Sequence, residues 1–352
     1  MQIFEIDKNF EIQTQINKDD IEFFDIDSPP FEICGVFKEN GIYRRMPEKV
    51  ATNISEGVRE LHVHTAGGRV RFATDSNYVA IYAKIDNPGR MPHFAFSGSA
   101  GLDLYADNEY AKTFVPPLNM DGKYEGIINF SSNTFREITI NFPLYSGLGK
   151  LYVGLQKDSV VRSAKGYRNS KPVAFYGSSI TQGGCASRPG MSYQSILSRS
   201  FNMDYVNLGF SGSAKAEEQM AEYIKNMDMS AFVYDYDYNA PSAEYLLKTH
   251  KMMFDAVREK HRDIPIIIMS RPMFVQTEEG RACLEVIRDT YNDAVAQGDK
   301  NVYLVTGAEL IELCGSEGTV DGVHPTDFGF ASMAKALEKV FKKIEIQKGL
   351  TI

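Results

Sequence analysis

Tryptophan is absent from this sequence, and only four cysteines and six histidines occur in 352 residues. Without tryptophan the chain lacks the strongest platform for stacking on sugar rings. Its 19 tyrosines and 22 phenylalanines can partly substitute, although most aromatics belong in cores. The cysteines, Cys34, Cys185, Cys283 and Cys314, are scattered and form no C-x-x-C pair. That spacing excludes a disulfide framework or a cysteine zinc site, and buried thiols in a reducing compartment are expected. No apolar run is long enough to span a membrane. The start, M-Q-I-F-E-I-D-K-N-F, has early acids and no apolar core, unlike a signal peptide. A cytoplasmic location is expected, so any substrate is made in the cell or imported. No basic run occurs and the net charge is -8, which argues against nucleic acid and anionic membranes as partners.

What is present is ordinary for a soluble globular protein of one or two domains: 43% hydrophobic and 24% charged residues. Two grammars divide the chain. Residues 1–165 carry short β-branched and aromatic runs, such as R-V-R-F-A-T-D-S, Y-V-A-I-Y-A-K-I, E-I-T-I-N-F-P-L and K-L-Y-V-G-L. Gly, Asn, Asp and Pro clusters separate them, and no helix of any length is evident. An all-β sandwich or jelly roll is predicted there. The polar segment from Asp158 to Ser170 is the expected linker. Residues 171–352 alternate strands with helices. P-V-A-F-Y, Y-V-N-L, A-F-V-Y-D, I-P-I-I-I-M and V-Y-L-V are the strands. Tyr193, Ile196, Leu197 and Phe201 open the series of helical faces, and Phe330, Met333, Leu337, Val340 and Phe341 close it. A three-layer α/β/α domain on a five-stranded parallel sheet follows, with ligands at the carboxyl ends of its strands.

The first of these strands ends in G-S-S-I-T-Q-G, two serines in a glycine-bounded turn. A serine hydroxyl needs a base, and the base needs an orienting partner. His62, His64 and His93 fall in the β half, while His250 and His261 lie in a helix and near its end. His324 stands apart in V-D-G-V-H-P-T-D, after the fifth strand, with Asp321 three residues earlier. That spacing lets one turn hold a carboxylate on Nδ1 and leave Nε2 facing a site. Alone, a D-x-x-H is equally a helix-capping loop. Donors for a developing oxyanion are also on offer. Gly212, in F-S-G-S after the second strand, has an unobstructed N–H. Asn239, in Y-N-A after the third, has a side-chain amide. Each alone is also an ordinary turn or cap residue.

Taken in order, G-S-S-I-T-Q-G, the glycine of F-S-G-S, the asparagine of Y-N-A and D-G-V-H-P resemble the four blocks of the SGNH (GDSL-like) hydrolase superfamily. The β half carries G-L-D-L-Y at 101–105, similar to the signature of an N-terminal domain that precedes some SGNH esterases. The resemblance implies Ser179 as nucleophile, with Ser178 where the family usually has aspartate. It implies His324 as base and Asp321 as its partner. Ser179, Gly212 and Asn239 become the oxyanion donors, although D-Y-N-A departs from the more usual G-x-N-D.

The implied activity is a serine esterase of the carbohydrate acetylesterase kind, acting through an acyl-enzyme on a small or oligomeric sugar ester. Two alternatives stay open: an acyltransferase using the same residues, and a non-catalytic carbohydrate-binding protein. Arg188, in the loop after the nucleophile, can reach substrate or pin the loop on backbone carbonyls. Tyr238 can line the pocket or pack. Asp235 and Asp237 lack the histidines of a metal site, so no metal and no cofactor is expected. Homo-oligomerisation is left open.

Overall fold

A computed structural model describes residues 15–348. The amino-terminal decapeptide considered above lies outside them, as do residues 349–352. Among the described residues no helix is long and apolar enough to cross a membrane. All four cysteines are free and buried.

The amino-terminal half contains strands β1 (Ile21–Asp25), β2 (Glu32–Cys34), β3 (Phe37–Glu39), β4 (Ile42–Arg44), β5 (Arg69–Thr74) and β6 (Tyr78–Asp86). It continues with β7 (Leu102–Ala106), β8 (Glu109–Phe114), β9 (Lys123–Asn129), β10 (Arg136–Asn141), β11 (Gly147–Gln156) and β12 (Val161–Arg162). One antiparallel sheet runs β1-β11-β6-β9, and the other runs β12-β5-β10-β7-β8 with β2 added on β5. Alternate residues of both sheets, among them Val70, Phe72, Ile81, Leu104, Ile138, Ile140 and Val153, share one apolar core. This is the sandwich that the alternating runs predict.

The half is not helix-free, contrary to the sequence expectation. Helices span Glu48–Ile54, Glu56–Leu61 and Phe96–Ser99. Ala51 and Val58 of the first two are fully buried in the core of the other half, against Phe210 and Met220 among others. The expected linker is pinned as well. Val161 and Arg162 pair with β5, and the Tyr167 hydroxyl accepts from Arg69 Nε at 2.6 Å.

The second half is built on β13 (Val173–Gly177), β14 (Tyr205–Gly209), β15 (Ala231–Asp235), β16 (Ile266–Met269) and β17 (Val302–Val305), all parallel, in the order β14-β13-β15-β16-β17. Every residue of β13, β15 and β16 is buried, as the unbroken apolar runs require of a sheet covered on both faces. Val173, Phe175, Val233 and Ile267 face helices Tyr193–Phe201 and Asp327–Lys348. Ala174, Tyr176, Phe232 and Ile268 face helices Glu218–Lys225, Ala243–Lys260 and Glu278–Ala296. Ser242 and Thr277 start the helices Ala243–Lys260 and Glu278–Ala296 by accepting from the N–H groups of Tyr245 and Gly280.

The halves are fastened by buried arginines. Arg45 is 2% exposed. Its guanidinium donates to Gly209 O at 2.5 Å and Asn207 O at 3.2 Å on β14, and to Leu61 O at 2.6 Å. Arg69 pairs with Asp204.

Candidate active site

The order of the sheet puts β13 between β14 and β15, with Gly177 level with Gly209 and Asp235. The three loops that leave these strands therefore emerge side by side. The first carries the serines. Ser178 is extended and caps the short helix Ser179–Gln182, its hydroxyl accepting from Ile180 N–H at 3.2 Å. A serine does here what a short acid also does at a helix start, which accounts locally for Ser178 in the family's aspartate position. A carboxylate is nonetheless close by. Asp235, at the end of β15, accepts from the Thr181 hydroxyl and the Ser178 N–H. Burial drives this carboxyl well above its usual range, against those two hydrogen bonds.

Ser179 is 7% exposed. Its Oγ lies 2.8 Å from His324 Nε2. His324 Nδ1 lies 2.7 Å from Asp321 Oδ2. The other oxygen of Asp321 accepts from the N–H groups of Val323 at 2.9 Å and His324 at 2.8 Å. The turn is closed by a bridge between Thr319 and Pro325, with the Thr319 hydroxyl donating to His324 O at 2.9 Å. Burial raises the Asp321 pKa, but the His324 and Val323 hydrogen bonds outweigh it and bring the group down to about 2. Asp321 is thus a carboxylate at any ordinary pH, and it fixes the proton of His324 on Nδ1. Nε2 is left as an acceptor for the serine proton. The loop follows β17, at the far edge of the sheet. It reaches Ser179 because the helix Asp327–Lys348 packs beneath β13, where Phe330 stacks on Tyr193 and Phe341 meets Phe201.

Gly212 has φ +68 and open space where a side chain would stand, so a glycine there leaves its N–H accessible. Its loop is tied to the helix Ser179–Gln182 by Ser211 N–H donating to Gln182 Oε1 at 3.0 Å. Asn239 accepts from Ala214 N–H through Oδ1 at 3.3 Å, which turns its amide nitrogen the other way. Among the described residues, that nitrogen and the N–H groups of Ser179 and Gly212 carry no hydrogen bond. They are the kind of donor that can hold an oxyanion.

Arg188 is engaged elsewhere. Its Nη1 donates to Asp103 Oδ2 at 3.0 Å and to the Tyr105 hydroxyl, and its guanidinium lies 4.1 Å from the Tyr110 ring centre. It pins its loop on side chains of the β half rather than on backbone carbonyls. Asp103 is fully buried and also accepts from Gly190 N–H and Asn141 Nδ2, both at 2.8 Å. A Cβ on Gly190 would meet Tyr105 at 2.5 Å and Asp103 at 2.6 Å, so only glycine admits this approach. The acid and the tyrosine of G-L-D-L-Y thus hold the loop that follows the helix Ser179–Gln182. Tyr238 is half-buried and packs on the core, its hydroxyl donating to Pro272 O at 3.2 Å and its ring 4.4 Å from the Arg271 guanidinium. Asp237 is taken by Arg271 at 2.9 Å, so Asp235 and Asp237 serve different partners.

Three residues that the sequence left aside approach the site. Tyr145, from the β half, donates to Ser179 O at 3.2 Å. His64 meets Gln182 at 3.2 Å. His93 has Nε2 at 3.9 Å from Asp321 Oδ2. None carries a local signal, since each depends on how the halves dock.

Residues 170–342 match the GDSL-like lipase/acylhydrolase family, and residues 21–161 match the GxDLY N-terminal domain of SGNH-hydrolase-type esterases. Among solved structures, a protein described as a GDSL-like lipase from Bacteroides ovatus ATCC 8483 is 28% identical, with a TM-score of 0.82 over 92% of this chain and 98% of its own. The salicylyl-acyltransferase SsfX3 of a tetracycline biosynthetic pathway is 18% identical, with a TM-score of 0.76 over 94% and 99%. The acetyl xylan esterase Est2A of the rumen bacterium Butyrivibrio proteoclasticus is 14% identical, with a TM-score of 0.58 over 92% and 98%. The last two share the fold. A comparison with curated proteins gave no match. Residues 170–342 are thus a GDSL-like lipase/acylhydrolase domain and residues 21–161 a GxDLY domain of the kind that precedes SGNH-hydrolase-type esterases, and the protein is an esterase.

Proposed function

We propose that the chain hydrolyses an acetyl ester of a small or oligomeric sugar, with Ser179 as nucleophile, His324 as base and acid, and Asp321 as orienting carboxylate. The observation that carries this reading is the unbroken hydrogen-bonded line from Ser179 Oγ through His324 to Asp321. His324 Nε2 takes the hydroxyl proton as Oγ attacks the ester carbonyl. The N–H groups of Ser179 and Gly212 and the amide of Asn239 hold the tetrahedral oxyanion. His324 then gives the proton to the leaving sugar oxygen. Water repeats the sequence on the acyl-enzyme, and acetate leaves.

The choice of an acetylated sugar is supported by the acetyl xylan esterase that shares both halves of the fold. The second reading is transfer of the acyl group to an alcohol, supported by the salicylyl-acyltransferase that shares this fold. One experiment separates them: the purified chain is given acetylated mono- and oligosaccharides with and without a free alcohol, and products are read by mass spectrometry. Free acetate as main product supports hydrolysis, and acylated alcohol in excess supports transfer. A Ser179→Ala protein that keeps most of the activity refutes both.

A further inference from the structure

His93 belongs to the β half, between β6 and the helix Phe96–Ser99. Its ring centre is nevertheless 6.0 Å from that of His324. Its side chain is 45% exposed, and it donates no hydrogen bond among the described residues, so its ring is free to turn. Cys185 approaches from the loop after the nucleophile helix. The neighbouring Gly184 lies close to the Cδ2 edge of His324, 3.2 Å from where its own Cβ would stand. His93, Cys185 and His324 each offer one ligand atom, and these atoms all lie within 4.8 Å of one another.

Two imidazoles and a thiol are a donor set suited to zinc and similar thiophilic divalent ions. In a tetrahedral zinc site, bonds of about 2.0–2.3 Å place neighbouring donors roughly 3.5 Å apart. Donors up to 4.8 Å apart must therefore close by about 1 Å, a movement shared between rotation of the half-exposed His93 and of the Cys185 side chain. We propose that His93, Cys185 and His324 form a site for a thiophilic divalent cation, and that the bound ion switches the esterase off. The binding half of this proposal stands on geometry alone. The inhibitory half rests on the Ser179–His324 reading above. With Nδ1 turned to Asp321, the His324 lone pair open to a metal is that of Nε2, the one that accepts from Ser179. Metal and serine compete for it. Coordination replaces the Cys185 S–H bond with a sulfur–metal bond and releases the proton to water. Asp321 stays on the far nitrogen of His324, orients the ring and places negative charge beside the cation.

Neither His93 nor Cys185 takes part in the hydrolysis proposed above, so His93→Ala and Cys185→Ser should keep the metal-free rate. The full chain is stripped with chelator and titrated with cobalt(II), followed by absorption. A thiolate-to-cobalt charge-transfer band is expected, absent from Cys185→Ser and weakened in His93→Ala. In parallel, zinc is titrated into acetyl-ester hydrolysis. Inhibition that chelator reverses is expected, with the half-inhibiting concentration raised about tenfold or more in either variant. No charge-transfer band in the wild type overturns the site. Equal zinc sensitivity of all three proteins also overturns it, since His324 alone would then bind. A band with undiminished hydrolysis overturns the switch. If the hydrolysis reading itself fails, the cobalt titration still decides the site.

Discussion

Replacing Asp103 by asparagine keeps the shape of the side chain and removes its charge. The carboxylate is fully buried and accepts from Asn141 Nδ2 at 2.8 Å, Gly190 N–H at 2.8 Å and Arg188 Nη1 at 3.0 Å. An amide has one acceptor oxygen, so at least one of these donors faces its NH2 group instead. A buried donor left unmatched costs about 1–3 kcal/mol, and breaking a buried ion pair costs about 3–5 kcal/mol. Arg188 retains 19% exposure and the Tyr105 hydroxyl, which places the expected loss near the lower end, about 3 kcal/mol. Urea denaturation followed by circular dichroism measures it as a lowered midpoint at unchanged slope. Arg188→Met removes the other charge. Because the residues touch, the double variant should lose less than the sum of the singles, by roughly 1–3 kcal/mol. A loss under about 1 kcal/mol for Asp103→Asn, or strict additivity in the cycle, refutes the view that this acid anchors the loop.

Ser179→Ala and His324→Ala should each lower kcat by roughly 10⁴-fold or more, and the double variant should fall little further, as for groups that act as a unit; acetyl-ester kinetics with active-site labelling checks both. Asn239→Ala should lower kcat by about 10²–10³ while leaving the fold intact, if its amide meets the oxyanion. Asp321 is held at about 2 against an ordinary 3.8. Its stabilising contribution is therefore complete above pH 3.8 and lost as pH falls through 2, so the stability gap between wild type and Asp321→Asn should narrow over that window. His250 is buried and brought down to about 3 by that burial. The unfolded chain takes up a proton there between pH 6.5 and 3 and the folded chain does not. Stability should fall as pH falls through that range, and His250→Phe should flatten the slope in denaturation curves taken at several pH values.

The parallel sheet was legible because its strands are buried on both faces and so appear as unbroken apolar runs. The sandwich strands were legible because one face alternates with the other. The helices Glu48–Ile54 and Glu56–Leu61 were not. They are 7 and 6 residues long, too short to show a convincing period. Their apolar side chains are held by packing on the other half rather than by intrinsic helix strength. The Ser179, Gly212, Asn239 and His324 loops could be located because each follows a strand in order, and the structure brings Ser179, His324 and Asp321 into hydrogen-bond contact. The setting of Arg188 could not be foreseen. Its carboxylate partner is 85 residues earlier in the chain, and nothing near Arg188 announces it. His93 likewise shows no pattern of its own, since only docking of the sandwich carries it to Asp321.

Arg45 has a further bearing on how such a protein can be taken apart or recombined. Its guanidinium, rooted in the sandwich half, satisfies main-chain oxygens at the rim of the hydrolase sheet. An isolated carboxyl-terminal fragment would bare those oxygens together with the apolar seat of Ala51 and Val58. Such a fragment should be poorly soluble, and graft chimaeras with a foreign sandwich should succeed only when the donor brings an equivalent arginine. The two modules are best handled as a single unit, whose seam resists exchange.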